Sequence, residues 1–273
     1  MCHKMNKISV FGVGFIGSRF CEMYPEDVIP IPRVQANPNS DNILYLISTT
    51  HNYNRLSEDV NTNLNVLSQT LQQLDKSHTF NFISSWFVYG QGYYGRQETS
   101  RCDPKGNYSF TKKQAEDLVI FYCERENIPY RIFRLANVFG KGDKFSKQKN
   151  ALQYLINELR HNRDIELYWS GEFYRDYIHV DEVCRMLYEG MEELPVNEIY
   201  NVGSGRNFLF RDLIMIVHAV LGSRSKIHAI EPPELHKKVQ VKSFYMDVSK
   251  LNSYGIKMQG SVYEQLVRMI LDE

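Results

Sequence analysis

The residues best suited to chemistry are Tyr108 and Lys112. Of the 18 tyrosines, Tyr108 alone has a lysine four positions on. That spacing stacks the two side chains on one face of a helix. A lysine ammonium beside a phenol favours the phenolate, because an opposite charge lowers an acid's pKa. The pair can then donate or accept a proton at neutral pH, where an isolated tyrosine, with a pKa of about 10, cannot. A Tyr–Lys stack is more often only a helix surface, so the reading leans on two further stretches. One is a glycine-rich turn near the N-terminus. The other is Ser84-Ser85, ahead of Tyr108 in the chain.

The glycine-rich turn is Gly12-Val13-Gly14-Phe15-Ile16-Gly17, placed between an apolar run (Lys7–Phe11) and a helix expected over Ile16–Met23. G-x-G-x-x-G in a strand-to-helix setting is a dinucleotide signature. Gly12 allows the tight turn and Gly14 lets the backbone approach a pyrophosphate. Gly17 lets helix and strand pack closely, and the helix N-terminus carrying Phe15 and Ile16 faces the phosphates. A second strand, Val28–Ile31, leads to Pro32-Arg33. An acidic residue there would bond the ribose of NAD, whereas Arg33 suits the 2′-phosphate of NADP. The expected cofactor is NADP or NAD, with a slight lean to NADP.

The next strand is Ile43–Ser48, and its end places Ser48 on the cofactor side. About a dozen residues separate it from the second strand, about the minimum for a crossover connection alone. One βα unit of a Rossmann half is therefore shortened or missing. Asp59–Leu74 has the 3.6-residue periodicity of an amphipathic helix. Phe80–Ser84 reads as a strand whose C-terminal end carries Ser84-Ser85, the end where open parallel sheets bind ligands. On position alone, a serine there more often caps a turn. The Tyr108 helix extends to about Glu126, and a strand, Tyr130–Leu135, runs into Ala136-Asn137-Val138-Phe139-Gly140. Past Gly140, Lys141, Lys144, Lys147 and Lys149 crowd a polar loop that could draw a diphosphate inward. Strands and helices continue to alternate to the end of the chain.

The expected fold is α/β: a doubly wound parallel Rossmann sheet, one βα unit short, with a small C-terminal α/β substrate domain. Residues 1–140 and about 176–203 are assigned to the nucleotide-binding part, and 141–175 and 204–273 to the smaller one. The 273 residues suffice for one large domain or two sharing a core. Lys+Arg and Asp+Glu both number 32, so the basic excess of a nucleic-acid binder is missing. Five scattered cysteines without C-x-x-C fit reduced thiols in a cytoplasm, and no histidine spacing suggests a metal. No run reaches the length of a membrane span. Lys4 and Lys7 before Ile8–Ile16 read as the lead into a buried strand, not as a signal peptide.

In ordered motifs over nearly its whole length, the chain resembles the extended short-chain dehydrogenase/reductases. These are the nucleotide-sugar epimerases, dehydratases and ketoreductases. The motifs are Gly12–Gly17, Asn63 in Asn-Leu-Asn-Val-Leu, Ser84–Gly90, Tyr108–Lys112, Arg134–Gly140, Arg175–Asp181 and Tyr200–Gly205. The resemblance implies that Tyr108 is the acid/base on a sugar hydroxyl or ketone. Lys112 lowers its pKa and bonds the nicotinamide ribose. Ser85 bonds the same substrate oxygen, with Trp86 beside it, and Asn63 supports the site. Asn137 and Arg175 contact the diphosphate of a nucleotide sugar, a role that suits the bidentate guanidinium. Two departures fall at the adenosine end. The glycine turn is one residue tighter than the family's usual form, and the absent βα unit would have supplied a carboxylate.

The family's dehydratases place Asp-Glu directly after the Ser/Thr, and some relatives epimerising at C3 and C5 place Cys first. Here Trp86 and Phe87 stand there, so the expectation is hydride transfer at a sugar carbon, most simply C4. A nucleotide-sugar epimerase is the first reading, and an NADPH-dependent 4-ketoreductase the second. A third, of another class, is a non-catalytic cofactor-binding relative. Leu118, Val119, Phe121 and Tyr122 on the Tyr108 helix are compatible with a homodimer by analogy, and equally with packing on the sheet.

Overall fold

The computed structural model describes residues 7–32, 37–49, 56–90, 95–142, 151–239 and 241–272. In its first half, β1 (Ile8–Phe11), α1 (Phe15–Met23), β2 (Val28–Ile31) and β3 (Asn42–Tyr45) are followed by α2 (Leu56–Val60) and α3 (Val66–Leu71). Then come β4 (Thr79–Ser85), α4 (Asn107–Glu126) and β5 (Tyr130–Leu135). Next are β6 (Asn137–Phe139), α5 (Ala151–Arg160), β7 (Ile165–Tyr168), β8 (Tyr174–Arg175), β9 (Tyr177–His179) and α6 (Val180–Glu193). The remainder is β10 (Glu198–Val202), β11 (Phe208–Leu209), α7 (Phe210–Val220), β12 (Ile227–Ile230), α8 (Glu234–Val239), α9 (Ser249–Ser253) and α10 (Val262–Leu271).

The main sheet has six strands in the order β10-β5-β4-β3-β1-β2, and every pairing in it is parallel. Parallel strands covered on both faces need continuous apolar runs, and β1 and β5 are buried at every position. One face packs Val10, Leu44, Ile83, Phe133 and Val202 under α1 and α6; the other packs Phe11, Tyr45, Phe80, Phe82 and Ile132 under α3 and α4. Another apolar cluster joins α5, α7, α10 and β7, with Ile156, Leu213 and Leu266 wholly buried.

The shortened unit has a definite place. β1 pairs β2 on one side and β3 on the other, and among the described residues no strand lies outside β2. β2 is thus the sheet edge, and it carries Pro30, a residue without an N–H that only an edge accommodates well.

The single helix expected over Asp59–Leu74 is interrupted. α2 passes into a π-helical turn, Asn61–Asn65, before α3 begins. π turns are costly and concentrate at functional sites. Here the turn holds Asn63, which is buried and bonded to two other elements.

α4 starts at Gly106, whose N–H donates to Ser109 Oγ at 3.0 Å, and stops at Asn127 in the left-handed conformation (φ 57°). Its buried face reads Ser109, Thr111, Lys112, Ala115, Glu116, Val119, Cys123, polar at the start and apolar later. Val119 faces the sheet, whereas Phe110 and Phe121 are exposed.

Candidate active site

The C-terminal ends of β1, β3 and β4 and the N-terminal turns of α4 carry the nominated residues. At β1, Gly12 has φ +95°, and a Cβ there would lie 2.7 Å from the Ile47 nitrogen, so only glycine fits. A Cβ on Gly17 would lie 2.3 Å from the Gly12 carbonyl oxygen, which is how α1 comes so close to the strand. Gly14 is different: nothing lies within 4 Å of its Cβ position. It begins α1 without a side-chain cap, leaving the first helical N–H groups, with Phe15 and Ile16, directed past an open glycine. Beside this turn is a cavity of about 320 Å³, lined by Phe11, Gly12, Val13, Pro30, Ile31, Pro32 and Ile47. An anion-ready helix terminus, an open glycine and an apolar cavity at a sheet edge fit a dinucleotide. Arg33, on which the NADP lean rested, lies outside the described residues, as do Lys144, Lys147 and Lys149.

Ser85 ends β4 and is 8% exposed. It also caps the short 3-10 turn Trp86–Tyr89, accepting from the Phe87 N–H, so the ordinary capping role and the nominated one coexist. Tyr108 is half-buried on α4 and meets the Phe87 ring edge-on at 6.2 Å. Burial pushes the Tyr108 phenol above its ordinary value. The Ser48 and Ser85 hydroxyls draw it back, and the Asp59 carboxylate adds to the rise.

Lys112 stands one turn on, 2% exposed. Its Nζ donates to the Ile83 carbonyl at 2.5 Å and sits 4.3 Å from the centre of the Phe82 ring. Burial lowers its pKa from 10.5 to about 7, against the opposing pull of Glu116. Burial thus disfavours the charged form of this lysine. The groups that lower the Tyr108 pKa are therefore two serine hydroxyls, while Lys112 is turned to β4.

Asn63 is the hub that joins three elements. Its Oδ1 accepts from Ser48 Oγ at 3.0 Å and from the Thr49 N–H at 3.1 Å. Its Nδ2 donates to Thr111 Oγ1 at 3.0 Å and to Thr49 Oγ1 at 3.3 Å. Thr49 Oγ1 in turn donates to the buried Asp59 carboxylate. Thr49, Asp59 and Thr111 escape sequence reasoning, although Thr111 lies inside the Tyr108–Lys112 stretch and Asp59 precedes Asn63 by one turn.

The diphosphate candidates sit together but engage main chain. Asn137 Nδ2 donates to the Asp176 carbonyl at 2.9 Å. The Arg175 guanidinium donates to the carbonyls of Tyr174 (2.9 Å), Lys242 (2.6 Å) and Val241, and lies 5.5 Å from the Trp86 ring and 4.8 Å from the Phe173 ring. Trp86 is 2% exposed, stacked on Phe87 (4.0 Å) and tilted against Phe244 (4.5 Å). Of these rings, Phe87 is the one that meets Tyr108. Asp176 is wholly buried and accepts from Ser204 and the Gly205 N–H. Burial pushes its pKa up to about 6.

The sequence profile of the NAD dependent epimerase/dehydratase family matches residues 47–203, more than half of the chain. The chain belongs to this family. Within it, a putative UDP-glucose 4-epimerase of Methanocaldococcus jannaschii is 24% identical over 184 residues, covering 67% of this chain and 58% of the relative. The chain spans about half the length of the curated relatives it matches. Two solved structures share the fold. UDP-glucose 4-epimerase of Thermotoga maritima, bound to UDP-glucose, superposes with a TM-score of 0.84 at 20% identity, covering 98% of both chains. RMD of Pseudomonas aeruginosa, complexed with NADPH, does so with the same TM-score, identity and coverage. The family resemblance and the doubly wound parallel sheet expected from the sequence are thereby borne out. Among the described residues, no helix is long and apolar enough to cross a membrane.

Proposed function

We propose that this protein is an NAD(P)-dependent nucleotide-sugar epimerase working at a sugar carbon, C4 being the simplest choice. One observation carries the reading. Ser85, Tyr108 and Lys112 converge at the end of β4, with the Ser48 and Ser85 hydroxyls near enough to draw down the Tyr108 pKa and no acid or base on the next two residues. A bound nicotinamide would supply the acceptor and then the donor of a hydride. The glycine turn and α1 would hold its diphosphate, and Ser48, Tyr108 and Lys112 its ribose end. Tyr108 takes the proton of the sugar hydroxyl as it becomes a ketone and returns it afterwards. Ser85 orients that oxygen by a hydrogen bond, while Lys112, held on the Ile83 carbonyl, serves the ribose end of the cofactor. Trp86 and Phe87 carry no transferable proton, which disfavours elimination of water. Asn137 and Arg175 are the residues for the substrate diphosphate, Arg175 by releasing its bonds to main-chain carbonyls. The relatives that act on or bind UDP-sugars support this substrate class.

A second reading, an NADPH-dependent 4-ketoreductase, draws support from the NADPH-complexed neighbour. The two differ in redox balance. Tightly bound nicotinamide in the purified protein and interconversion of UDP-sugars with no net change in nicotinamide absorbance would support the epimerase. Stoichiometric NADPH consumption with a 4-keto sugar nucleotide would reject it for the reductase. Absence of both would leave the non-catalytic relative. For assembly, the exposed Phe110 and Phe121 on α4 suit cover by a second copy; a monomeric mass by light scattering would count against that.

A further inference from the structure

Behind the Tyr108–Lys112 face lies a charged group that the proton chemistry does not use. Glu116 is wholly buried on α4, one turn past Lys112 on the same face. Its carboxylate accepts from Arg134 Nε at 2.9 Å and Nη2 at 2.7 Å, and from Ser84 Oγ at 2.5 Å. Arg134, from β5, is 2% exposed, lies 4.7 Å from the centre of the Tyr89 ring and donates to the Glu98 carbonyl at 3.1 Å. A buried ion pair is weak evidence of a stabilising role, because desolvation offsets the attraction. Its position argues for another use. Two consecutive residues at the tip of β4 are bonded to α4, Ile83 by Lys112 and Ser84 by Glu116, and the next, Ser85, lies beside Tyr108.

We propose that Glu116 is a positioning residue of this site, holding Lys112 as a cation by its charge and fixing Ser85 through Ser84. The proposal rests on the catalytic reading given above for Ser85, Tyr108 and Lys112. The groups around Lys112 are few. On its own helix are Tyr108 and Glu116. From β4 come the Phe82 ring and the Ile83 carbonyl. From β5 comes Arg134, committed to Glu116 and flanked by Cys102 and Glu98. Asp59, from α2, acts on Tyr108. Of these, Glu116 is the charge acting on Lys112 against its burial. Removing that charge favours the neutral lysine.

The test reads Lys112 without relying on turnover. Lysine Cε is isotopically labelled, and the Lys112 signal, assigned by its loss in Lys112→Met, is titrated by NMR in the protein without added cofactor. In Glu116→Gln, which keeps the shape and removes the charge, the Lys112 midpoint should fall by about one pH unit. Glu116→Asp should stay near the parent. In turnover assays the alkaline limb of kcat should move down with the midpoint while KM holds, whereas a merely structural defect would lower kcat evenly across pH. An unmoved Lys112 midpoint in Glu116→Gln overturns the proposal. If that variant strands Arg134 and does not fold, Glu116→Gln with Arg134→Gln strands no charge; a cation then leaves with the carboxylate, so a smaller fall is expected, and no fall overturns the proposal. A fallen midpoint with an unmoved kcat profile supports the action of Glu116 on Lys112 and overturns the part given to Lys112 in the reaction, so the two readings fail separately.

Discussion

Replacing Lys112 with methionine separates what the fold needs from what the chemistry needs. The Lys112 ammonium is enclosed by α4 and β4 and is 2% exposed. Its pKa falls from 10.5 to about 7 because burial penalises the charged form. In the unfolded chain the lysine stays protonated to about pH 10. Between the two values the unfolded state binds the extra proton, so stability rises with pH across that window. Below about pH 7 both states are protonated, and the folded state carries the whole desolvation cost. At about 1.4 kcal/mol per pH unit, the fall is worth about 5 kcal/mol. Methionine fills a similar volume without a charge, and losing the hydrogen bond to the Ile83 carbonyl offsets about 1 kcal/mol of the gain. Lys112→Met is therefore expected to be more stable than the parent by about 3–4 kcal/mol near pH 6, the gain vanishing near pH 10. Urea unfolding followed by tryptophan fluorescence, with the denaturant slope compared between proteins, measures this directly. Turnover should be lost in the same variant, a trade of stability for function. A constant difference between the two proteins across that pH range would refute the argument, because the lysine would then titrate alike in both states.

Tyr108→Phe should lower kcat about 10²–10⁴-fold while dinucleotide affinity by calorimetry holds; unchanged turnover refutes the acid/base role. Asn63→Ala strands the Thr49 N–H and removes the link to Thr111. It should cost about 2–4 kcal/mol in thermal or denaturant unfolding, and a loss below about 0.5 kcal/mol would show that the hub is dispensable. Gly17→Ala forces a carbon against the Gly12 carbonyl and should destabilise the fold by about 1–3 kcal/mol. Gly14→Ala meets nothing in the protein, so it should change stability by less than about 1 kcal/mol yet weaken dinucleotide binding. Full binding by Gly14→Ala would mean that no ligand passes over that glycine.

Local signals served well where the backbone itself is constrained. Gly12 and Gly17 were legible because a turn and a close helix–strand contact admit no side chain there. The missing βα unit was legible as a count of residues between two strands, and β2 duly lies at the sheet edge. α4 was found from its chemistry, not its periodicity, because the first turns of its buried face hold Ser109, Thr111, Lys112 and Glu116. The break in the helix around Asn63 was not legible, since Val60, Leu64, Leu67 and Leu71 keep an unbroken helical spacing. The π turn arises from bonds to Ser48, Thr49 and Thr111, which are remote in sequence.

By itself, the sequence determined the order of the strands' apolar runs, the glycine turn, and the residue types available for proton transfer. These depend on neighbours along the chain, whose geometry is set by backbone sterics and helical pitch. Only the tertiary structure decided the electrostatics of the Tyr108–Lys112 pair. It turns Lys112 towards the Ile83 carbonyl and gives Tyr108 the hydroxyls of Ser48 and Ser85. It also encloses Glu116 with Arg134 behind the pair. Burial and charge fall off with distance in space, not along the chain, so a spacing of four residues can bring a phenol and an ammonium together. It cannot say which of them will be charged.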